Sequence, residues 1–449
     1  MSHQQTFSFL PADLSAQGFT LNYQLGETLF KEHYQIEGRA TDVAAALSND
    51  EGHKRLTYLS LAAGVSYFKL APFSQIKTPI KDLERAESEF FNKLYVNGLA
   101  EFAYRNQLDL TQACQFPVGQ GVSENAKTRS LQDASSQNEQ NALVLIGGGK
   151  DSLVSIEKLK AAGIKQTLFA VNPAQPIIDC IKTSGLPYIF VRRQLDPELF
   201  KLNEAGALNG HVPITAIISF TAMLVAYLFG FTAVITSNES SANEATLIFN
   251  GRAVNHQYSK SLEFEQDFKA FSVSHLSDDI DYFSLLRPYS EFNIVSQFIR
   301  QQHYDDVFTS CNRAFKLYHE KSKTRWCLSC PKCHFVYLMF AAQPLSSERL
   351  QAIFAGNPLS DIGNLDSFTS LVGLSEHKPW ECVGEKLESA ACLYLLGHKP
   401  NFAQSSVVKA LLPEVIEHYG EPQLELAVKH LTQLHDHYIP DAYLEALNG

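Results

Sequence analysis

The most informative stretch of this sequence is LVLIGGGKDSLVSIEKL, which runs from Leu143 to Leu159. Its first residues are apolar, as in a buried strand, and Leu153, Ile156 and Leu159 fall near helical spacing. The three glycines therefore stand where a strand ends and a helix begins. A tight turn needs one glycine, whereas three let the backbone approach a ligand, and the free N–H groups of the helix start attract an anion. We predict that this glycine loop binds phosphate.

Further apolar runs predict that this strand belongs to a parallel sheet. Helical stretches separate most of these runs, which are ALVLI (142–146), TLFAV (167–171), YIFV (188–191), TAVIT (232–236) and DVFTS (306–310). Alternating strands and helices are typical of βαβ units. We therefore predict an α/β fold with a central, doubly wound parallel sheet that helices cover on both faces. Ligands of such sheets bind at the carboxyl ends of the strands.

One uncharged segment, VPITAIISFTAMLVAYLFGFTAVIT (Val212–Thr236), is long enough to cross a bilayer. It contains Pro213, Gly230 and several hydroxyl side chains, and no basic residues flank it, which is unlike a membrane span. We predict instead a buried helix from about Ile214 to Phe229, a turn at Gly230, and then the strand TAVIT.

The composition divides the chain into three domains and a linker. Residues 1–118 open with the alternating strand FTLNYQL and predict an N-terminal α+β domain, a candidate for substrate binding. The polar stretch 119–141 is typical of a linker. The parallel sheet falls in a catalytic domain over residues 142–345. The helical pattern that follows predicts a C-terminal domain over residues 346–449.

The overall composition excludes several classes of protein. With 45% hydrophobic and 19% charged residues, the 449-residue chain is typical of a folded protein of two or three domains. Its net charge is −11 without a run of lysine or arginine, which argues against nucleic acid bound on a broad basic surface. The N-terminus, MSHQQTFSFL, lacks the layout of a signal peptide. We expect a cytoplasmic protein with no membrane partner, and the sequence leaves the oligomeric state open.

Polar or glycine-rich residues follow each predicted strand. The glycine loop follows the first strand, Asn172 the second, Arg192 and Arg193 the third, the segment SNESSANEATL the fourth, and Cys311 with Asn312 the fifth. Any one of these is compatible with a solvated loop. Because the carboxyl ends of parallel strands share one edge of the sheet, five together predict a single ligand crevice.

The cysteines give a second strong signal. WCLSCPKCHF supplies Cys327, Cys330 and Cys333, and Cys311 lies 16 residues upstream of the first of them. Four thiolates form the closed tetrahedral shell of a structural zinc ion, and an iron–sulfur cluster is the alternative. His334 could replace one ligand, although Cys311 fits better. The other cysteines stand alone, and lone cysteines are mostly small core residues: Cys114, Cys180, Cys382 and Cys392.

Several of these motifs carry a resemblance to known families. GGGKDS (147–152) resembles the PP-loop of ATP pyrophosphatases, SGGxDS, with Gly147 in place of the serine. The four-cysteine site is similar to that of the deazaguanine-forming nitrile synthases of the same superfamily. More specifically, the chain resembles the UDP-N-acetylmuramoyl-L-alanyl-L-glutamate epimerase family in five segments. They are GHVPIT (210–215), SNESSANE (237–244), VNHQYSKS (254–261), WCLSCPKC (326–333) and KPWECVG (378–384). The resemblance is weaker over the first 118 residues.

The resemblance implies a sheet of the PP-loop (adenine nucleotide alpha-hydrolase-like) type and a reaction that uses ATP and Mg²⁺. The α-carboxylate of the terminal L-glutamate would attack the α-phosphate of ATP, giving an acyl-adenylate and pyrophosphate. Masking the carboxylate in this way removes its charge and lets an enolate form. Reprotonation from the opposite face inverts the carbon, and hydrolysis releases AMP. The product would be the D-glutamate of bacterial peptidoglycan.

The resemblance also implies roles for particular side chains. Contacts to ATP would come from Gly147, Gly148, Gly149, Lys150, Asp151, Ser152 and Asn172. The UDP-N-acetylmuramoyl dipeptide would contact Arg192, Arg193, Asn238, Asn243 and Arg252. The reaction needs a phosphate site, cations and an acid/base group on each face of the carbon. Catalytic candidates are Asp151, His211, Glu239, His256, Lys260 and Cys382. Of these we favour His256 and Lys260, because NHQYSK holds several reactive groups within six residues.

Two other functional classes stay open. One is a different PP-loop enzyme that modifies a nucleoside or a deazapurine, but RNA-acting versions would need a basic surface, which the net charge of −11 disfavours. The other is a non-catalytic nucleotide-binding module on a zinc-stabilised scaffold. That interpretation leaves the NESSANE and NHQYSK clusters without a role.

Overall fold

The computed structural model describes residues 5–119, 140–277, 279–315 and 324–448, so most of the predicted linker over 119–141 lies outside it. The strands of the described part are β1 (Thr6–Ser15), β2 (Gly18–Leu25), β3 (Thr28–Glu37), β4 (Gln75–Lys77), β5 (Asn141–Leu145), β6 (Lys165–Val171), β7 (Tyr188–Gln194), β8 (Ala233–Thr236), β9 (Leu247–Phe249), β10 (Arg252–Val254) and β11 (Asp281–Ser284).

The α-helices of the same ranges fall into three groups along the chain. The first group precedes β5: α1 (Val43–Leu47), α2 (Asp50–Ala63), α3 (Val65–Phe68), α4 (Arg85–Gly98) and α5 (Ala100–Arg105). The second lies among the parallel strands: α6 (Lys150–Ala161), α7 (Gln175–Ser184), α8 (Pro197–Glu204), α9 (Ile214–Phe229) and α10 (Leu262–Phe271). The third follows β11: α11 (Glu291–Phe298), α12 (Pro331–Ala342), α13 (Ser347–Phe354), α14 (Leu365–Leu371), α15 (Lys386–Gly397), α16 (Ser406–Tyr419), α17 (Glu421–His430) and α18 (Glu445–Asn448).

Nine strands form one mixed sheet in the order β11-β8-β5-β6-β7-β3-β2-β1-β4. The five strands from β11 to β7 are parallel, which confirms the predicted parallel sheet. β3 then pairs antiparallel with β7, so that Ile36 lies opposite Val191. The N-terminal strands therefore extend the central sheet.

Helices cover both faces of the sheet, because successive side chains of its strands point to opposite sides. In β5, Leu143 packs into a core that contains the N-terminal strands and α9. The next residue, Val144, packs into a second core that contains α6, α7 and the C-terminal helices. Both residues are fully buried. The near-continuous apolar runs of the sequence reflect this burial on two sides.

The predicted strand DVFTS (306–310) is wrong, and β11 takes its place. Residues 306–310 form a turn and an extended loop, and the Thr309 N–H bonds to Gly148 O at 3.1 Å instead of to a sheet neighbour. Phe308 is buried because its ring packs against Trp326 and Phe298. The segment is therefore apolar because it packs against the core, although it is not a strand. A short apolar run in the sequence does not distinguish these two cases.

The long uncharged segment behaves as predicted. α9 ends at Phe229, and Gly230 follows in the left-handed conformation with φ 69°, which reverses the chain into β8. None of the helices in the described ranges is long and apolar enough to cross a membrane.

Candidate active site

The glycine loop joins β5 to α6. Gly148 has a φ of 76°, and a Cβ added to it would lie 3.1 Å from Ile177 Cγ1. A Cβ on Gly149, which directly precedes α6, would lie 2.8 Å from Ser310 Oγ. A Cβ on Gly147 would meet no described atom within 4 Å. The positive φ therefore favours glycine at 148, and a side chain at 149 would displace the Ser310 hydroxyl. Gly147 instead borders open space from which an anion could approach the backbone.

A group of buried charges lies beside the loop. Lys150 is fully buried and forms ion pairs with Asp151 and with Glu291, the first residue of α11. Lys332 Nζ lies 3.6 Å from the second oxygen of Glu291. Burial opposes the charge of Lys150, but the two carboxylates raise its pKa above the usual value. The side chain of Asp151 is 24% exposed, so it is the carboxylate that a ligand can reach.

Glu239 follows β8 and faces the same charges. Burial, with repulsion from Glu291 and Asp151, raises the pKa of the Glu239 carboxyl, although Lys260 and Lys332 act in the opposite direction. A raised pKa favours the protonated carboxyl, which is a proton donor.

Arg287 holds two segments of the site in place. It is 1% exposed, and its guanidinium bonds to Glu265 at 2.7 and 2.9 Å. It also donates to the backbone oxygens of Glu239 at 2.6 Å and Lys260 at 2.7 Å. The planar guanidinium fixes the direction of each bond. The backbone at Lys260 is therefore held in a set position relative to Glu239.

Side chains from four segments form an acid–base cluster, which we define as Glu101, His211, His256, Lys260 and Cys382. His256 Nδ1 lies 2.5 Å from Glu101 Oε2, and the His211 and His256 ring centroids are 4.5 Å apart. His256 also forms a hydrogen bond with the Cys382 thiol, and the Sγ of that thiol is 3.2 Å from Lys260 Nζ. The contacts run without a break from the carboxylate to the ammonium group.

These contacts set the protonation of the cluster. Burial acts to raise the pKa of Cys382, yet the positive charges of Lys260 and His256 lower it to about 5. Burial acts to lower the pKa of His256, but its bonds to Cys382 and Glu101 raise it to about 9. Burial and repulsion from His256 lower the pKa of His211 to about 4. Near neutral pH the cluster therefore holds a thiolate, an imidazolium and a neutral imidazole.

Glu101, His211 and His256 are also close enough to hold one metal ion. However, Arg105 Nε donates to Glu101 Oε1 at 2.6 Å, and the charges of Arg105 and Lys260 disfavour a proton on His211. A divalent cation would meet the same repulsion. We therefore treat these side chains as acid–base groups.

Motifs that are far apart in the sequence meet at this place. Lys378 of KPWECVG lies 2.9 Å from Glu244 of SNESSANE, and Gln257 of VNHQYSKS donates to Val383 O at 3.2 Å. The structure thereby brings together the predicted catalytic residues His211, His256 and Lys260. Asp151 and Glu239 lie within electrostatic range of Lys260.

The predicted contacts at the second and third strand ends have partners within the protein. The Asn172 side chain exchanges hydrogen bonds of 2.9 and 2.7 Å with the backbone of Arg193. The Arg193 side chain is largely buried and bonds to Glu32 at 2.6 Å. Arg192 is more exposed and lies 3.1 Å from Glu37. Both guanidinium groups therefore contact carboxylates of β3, the neighbouring strand.

The remaining predicted contacts are spread over the site and its rim. The Ser152 hydroxyl donates to Gly149 O at 3.1 Å. Asn238 is buried next to β8, and Arg252 is exposed on β10. Asn243 borders a cavity of about 300 Å³ that Tyr258 also lines. Of this set, Asn243 is the residue that lines this cavity.

The four predicted metal ligands form one group. The Sγ atoms of Cys311, Cys327, Cys330 and Cys333 all lie within 4.8 Å of one another. Both ring nitrogens of His334 bond to other oxygens, at 2.8 and 2.9 Å. The donor set is therefore four thiolates, which suits a closed tetrahedral metal site.

Comparisons with known proteins identify the family. The MurL N-terminal domain matches residues 1–285, and the MurL C-terminal domain matches residues 307–425. The chain belongs to the MurL family. A relative from Micromonospora sp. is 40% identical over 446 residues, 98% of this chain and 97% of its own length. Another, from Xanthomonas oryzae pv. oryzae, is 40% identical over 398 residues, 88% of this chain and 85% of its own length.

Both MurL relatives are named UDP-N-acetyl-alpha-D-muramoyl-L-alanyl-L-glutamate epimerase, as is a third from Salinispora tropica that is 40% identical over 399 residues, 88% of this chain and 84% of its own length. The family predicted from the sequence motifs is thus confirmed, and the chain is related to isomerase enzymes. Membership of the PP-loop superfamily stays a prediction.

Besides Arg287 and Glu265, the sequence motifs do not reveal three further charged residues of the site. Glu101 lies 155 residues from His256 on a helix without a motif. Glu291 follows the capping residue Ser290 at the start of α11. Carboxylates are common in the first turn of a helix because they interact favourably with the helix dipole, so the sequence gives no reason to assign Glu291 to a site. Lys332 stands inside WCLSCPKC, and its place between two metal ligands is the one signal that could have drawn attention to it.

Proposed function

We propose that this chain converts the terminal L-glutamate of UDP-N-acetylmuramoyl-L-alanyl-L-glutamate to D-glutamate. The main support is the Micromonospora relative, whose name states this activity and whose alignment covers 98% of this chain. The geometry agrees with it, because Lys260 of the acid–base cluster interacts electrostatically with Asp151 of the glycine loop. The acid–base cluster and the glycine loop therefore lie within electrostatic range of each other, as a joint site for adenylation and proton transfer requires.

The α-proton of glutamate is hard to remove, because the resulting carbanion would lie beside a carboxylate. We infer that ATP removes this charge by forming an acyl-adenylate, with release of pyrophosphate. The glycine loop would contact the phosphates, on its open side at Gly147. The partly exposed carboxylate of Asp151 is the hard oxygen ligand that Mg²⁺ prefers. When bound, Mg²⁺ would neutralise negative charge on the phosphates.

Inversion of a carbon requires proton-transfer groups on both faces. Reacting atoms approach to about 3–3.5 Å, so two opposing groups should be about 6–7 Å apart. His256 and Lys260 both contact Cys382, so we assign these three groups to one side of the substrate. We assign the opposite face to Glu239, because burial and the neighbouring carboxylates raise the pKa of its carboxyl, which favours the protonated, proton-donating form.

We also propose that the four cysteines hold a structural zinc ion. Four thiolates leave no position for water, so the ion would stabilise the fold. The N-terminus of α12, which carries two of the ligands, is joined to the KPWECVG segment because the Lys332 N–H donates to Glu381 Oε2 at 2.6 Å. The metal would thus help to position the segment that contains Cys382.

The test is an incubation with ATP, Mg²⁺ and UDP-N-acetylmuramoyl-L-alanyl-L-glutamate in D₂O. We expect D-glutamate with deuterium at the α-carbon, together with AMP and pyrophosphate. Free L-glutamate should react poorly, because contacts to the sugar nucleotide position the reacting carbon. Asp151→Asn should stop AMP formation. Its control is Asp366→Asn, an exposed carboxylate that also lies in the first turn of a helix.

Two results would contradict the proposal. ADP and phosphate as products would mean transfer of the γ-phosphate. AMP formation without deuterium at the α-carbon and without D-glutamate would mean a different ATP pyrophosphatase.

A further inference from the structure

Cys382 is unusual among the cysteines of this chain. All eight are described by the structure, and six of them are buried. The two that are partly accessible are Cys327, which belongs to the four-thiolate group, and Cys382, which lies between α14 and α15. Cys382 is therefore the one partly exposed cysteine outside the metal site.

Two positively charged side chains contact the same sulfur. Lys260 Nζ lies 3.2 Å from Cys382 Sγ, and His256 forms a hydrogen bond with the same thiol. The second ring nitrogen of His256 bonds to Glu101 Oε2 at 2.5 Å, which fixes the imidazole. Lys332 adds a third, more distant positive charge. A reactive thiol that is held by an oriented histidine and a lysine is the arrangement of a functional cysteine.

We infer that the Cys382 thiolate removes the α-proton of the substrate glutamate on one face, and that His256 and Lys260 are positioning residues for this thiolate. This inference rests on the proposed epimerase function. It differs from the expectation that His256 and Lys260 themselves exchange the proton.

The charges of the cluster support this division of roles. A base must be unprotonated before it acts. Interactions within the cluster raise the pKa of His256 to about 9 and also raise the pKa of Lys260, so both hold their protons near neutral pH. The pKa of Cys382 is lowered to about 5 by Lys260 and His256, against the effect of burial. Of the three groups in contact, the sulfur is the one with a free electron pair.

The proton-transfer step balances without a further reagent. The Cα–H bond breaks, its proton forms an S–H bond with Cys382, and the electron pair enters the enolate of the activated acyl group. The acid on the opposite face, which we assign to Glu239, gives a proton to the α-carbon. Cys382 then loses its proton to water and Glu239 regains one, so that both groups return to their starting states.

The test compares Cys382→Ala and Cys382→Ser with the wild type and with Cys114→Ala, which removes a buried thiol outside the cluster. Formation of AMP and incorporation of deuterium at the α-carbon are measured in the same D₂O reaction. We expect both Cys382 variants to keep forming AMP but to lose deuterium incorporation by about 10²–10⁴-fold, the usual contribution of a general base. Cys114→Ala should match the wild type in both measurements.

Several outcomes would overturn the inference. An equal loss of AMP and deuterium in Cys382→Ala would mean that Cys382 only helps to bind the substrate. Substrate covalently attached to acid-quenched wild-type enzyme at Cys382, detected by mass spectrometry, would mean that the sulfur is an acyl acceptor. A wild type that forms no D-glutamate would instead refute the epimerase function, which separates that failure from the others.

A second measurement does not depend on turnover. The rate of Cys382 alkylation by iodoacetamide, followed by peptide mass spectrometry, should rise with pH through a midpoint near 5 in the wild type. Lys260→Ala should move this midpoint to higher pH, and Lys260→Arg should largely restore it. A wild-type midpoint near 8.5, the value of a free thiol, would show that no thiolate is held there.

Discussion

The glycine loop allows backbone conformation and ligand approach to be tested separately. Gly148 has a φ of 76°, and a residue with a Cβ pays about 1–2 kcal/mol to adopt a left-handed conformation. The new Cβ would also lie 3.1 Å from Ile177 Cγ1, so that side chain must move slightly. We therefore expect Gly148→Ala to lower the free energy of unfolding by about 1–2 kcal/mol, which for a chain of 449 residues lowers the melting temperature by about 1–2 °C.

Gly147 provides the matched control in the same loop. Its φ is not positive, and a Cβ there would have no described atom within 4 Å. Gly147→Ala should therefore change the free energy of unfolding by no more than about 0.5 kcal/mol. Gly147→Val should also leave the fold intact, but its larger side chain would occupy the space from which phosphate approaches. We expect AMP formation to fall by about 10²-fold or more, as when a backbone donor to a reacting oxygen is lost.

Urea or thermal unfolding followed by circular dichroism measures the first effect, and chromatographic detection of AMP measures the second. If Gly148→Ala were as stable as Gly147→Ala, the left-handed conformation would not be a requirement of the fold. If Gly147→Val formed AMP at the wild-type rate, the loop would not hold the phosphates of ATP.

Three further predictions concern the metal, the buried ion pair and a buried carboxyl. Cys330→Ser should lose about one metal ion per chain and unfold at lower temperature, because metal affinity is linked to folding; unchanged metal content by elemental analysis would contradict this. Arg287→Ala should reduce the free energy of unfolding by about 3–5 kcal/mol, since it leaves Glu265 buried without its partner; a loss below about 1 kcal/mol in urea unfolding would count against it. Burial raises the pKa of Glu388 to about 8 in the folded protein, whereas the pKa of an unfolded glutamate is about 4.3. The free energy of unfolding of the wild type should therefore fall as the pH rises from about 4.3 to about 8. Glu388→Gln should remove this fall, and a melting-temperature difference from wild type that is equal at pH 5 and pH 8 would refute it.

The sequence predicts most of the parallel sheet because strands buried on both faces need near-continuous apolar runs. The same rule fails at β11. Its four residues, DYFS, give too short a run to stand out, whereas DVFTS is apolar because Phe308 enters the core beside Trp326. Periodicity reports that a side chain is buried, but not which element buries it.

The site shows a similar limit. The glycine loop and the cysteine group are encoded locally, so motif spacing is sufficient to find them. The partners of Arg192 and Arg193 are carboxylates of β3, and they become visible only once β3 is paired with β7. Substrate contacts predicted from strand ends alone do not account for such pairing. Binding of the sugar nucleotide by Arg192 stays a prediction.

Glu101 joins the N-terminal part of the chain to the acid–base cluster, and its influence on the proposed proton transfer can be tested by a pH profile. Its carboxylate helps to raise the pKa of His256 to about 9. If an imidazolium at His256 supports the Cys382 thiolate, the rate of α-proton exchange should fall as the pH rises through about 9 and also as it drops through about 5, where the thiolate takes up a proton.

Glu101→Gln keeps the shape of the side chain and removes its charge. The pKa of His256 should then drop by about 1 unit or more, which is the effect of losing an adjacent opposite charge. The alkaline limb of the exchange rate should move to lower pH by the same amount, while the acidic limb moves less. Glu89→Gln, an exposed carboxylate on α4, is the control and should keep the wild-type profile. A lower rate at every pH, with the alkaline limb unmoved, would mean that Glu101 only supports the fold. A shifted alkaline limb would mean that the N-terminal part of the chain, through Glu101, directly influences proton transfer.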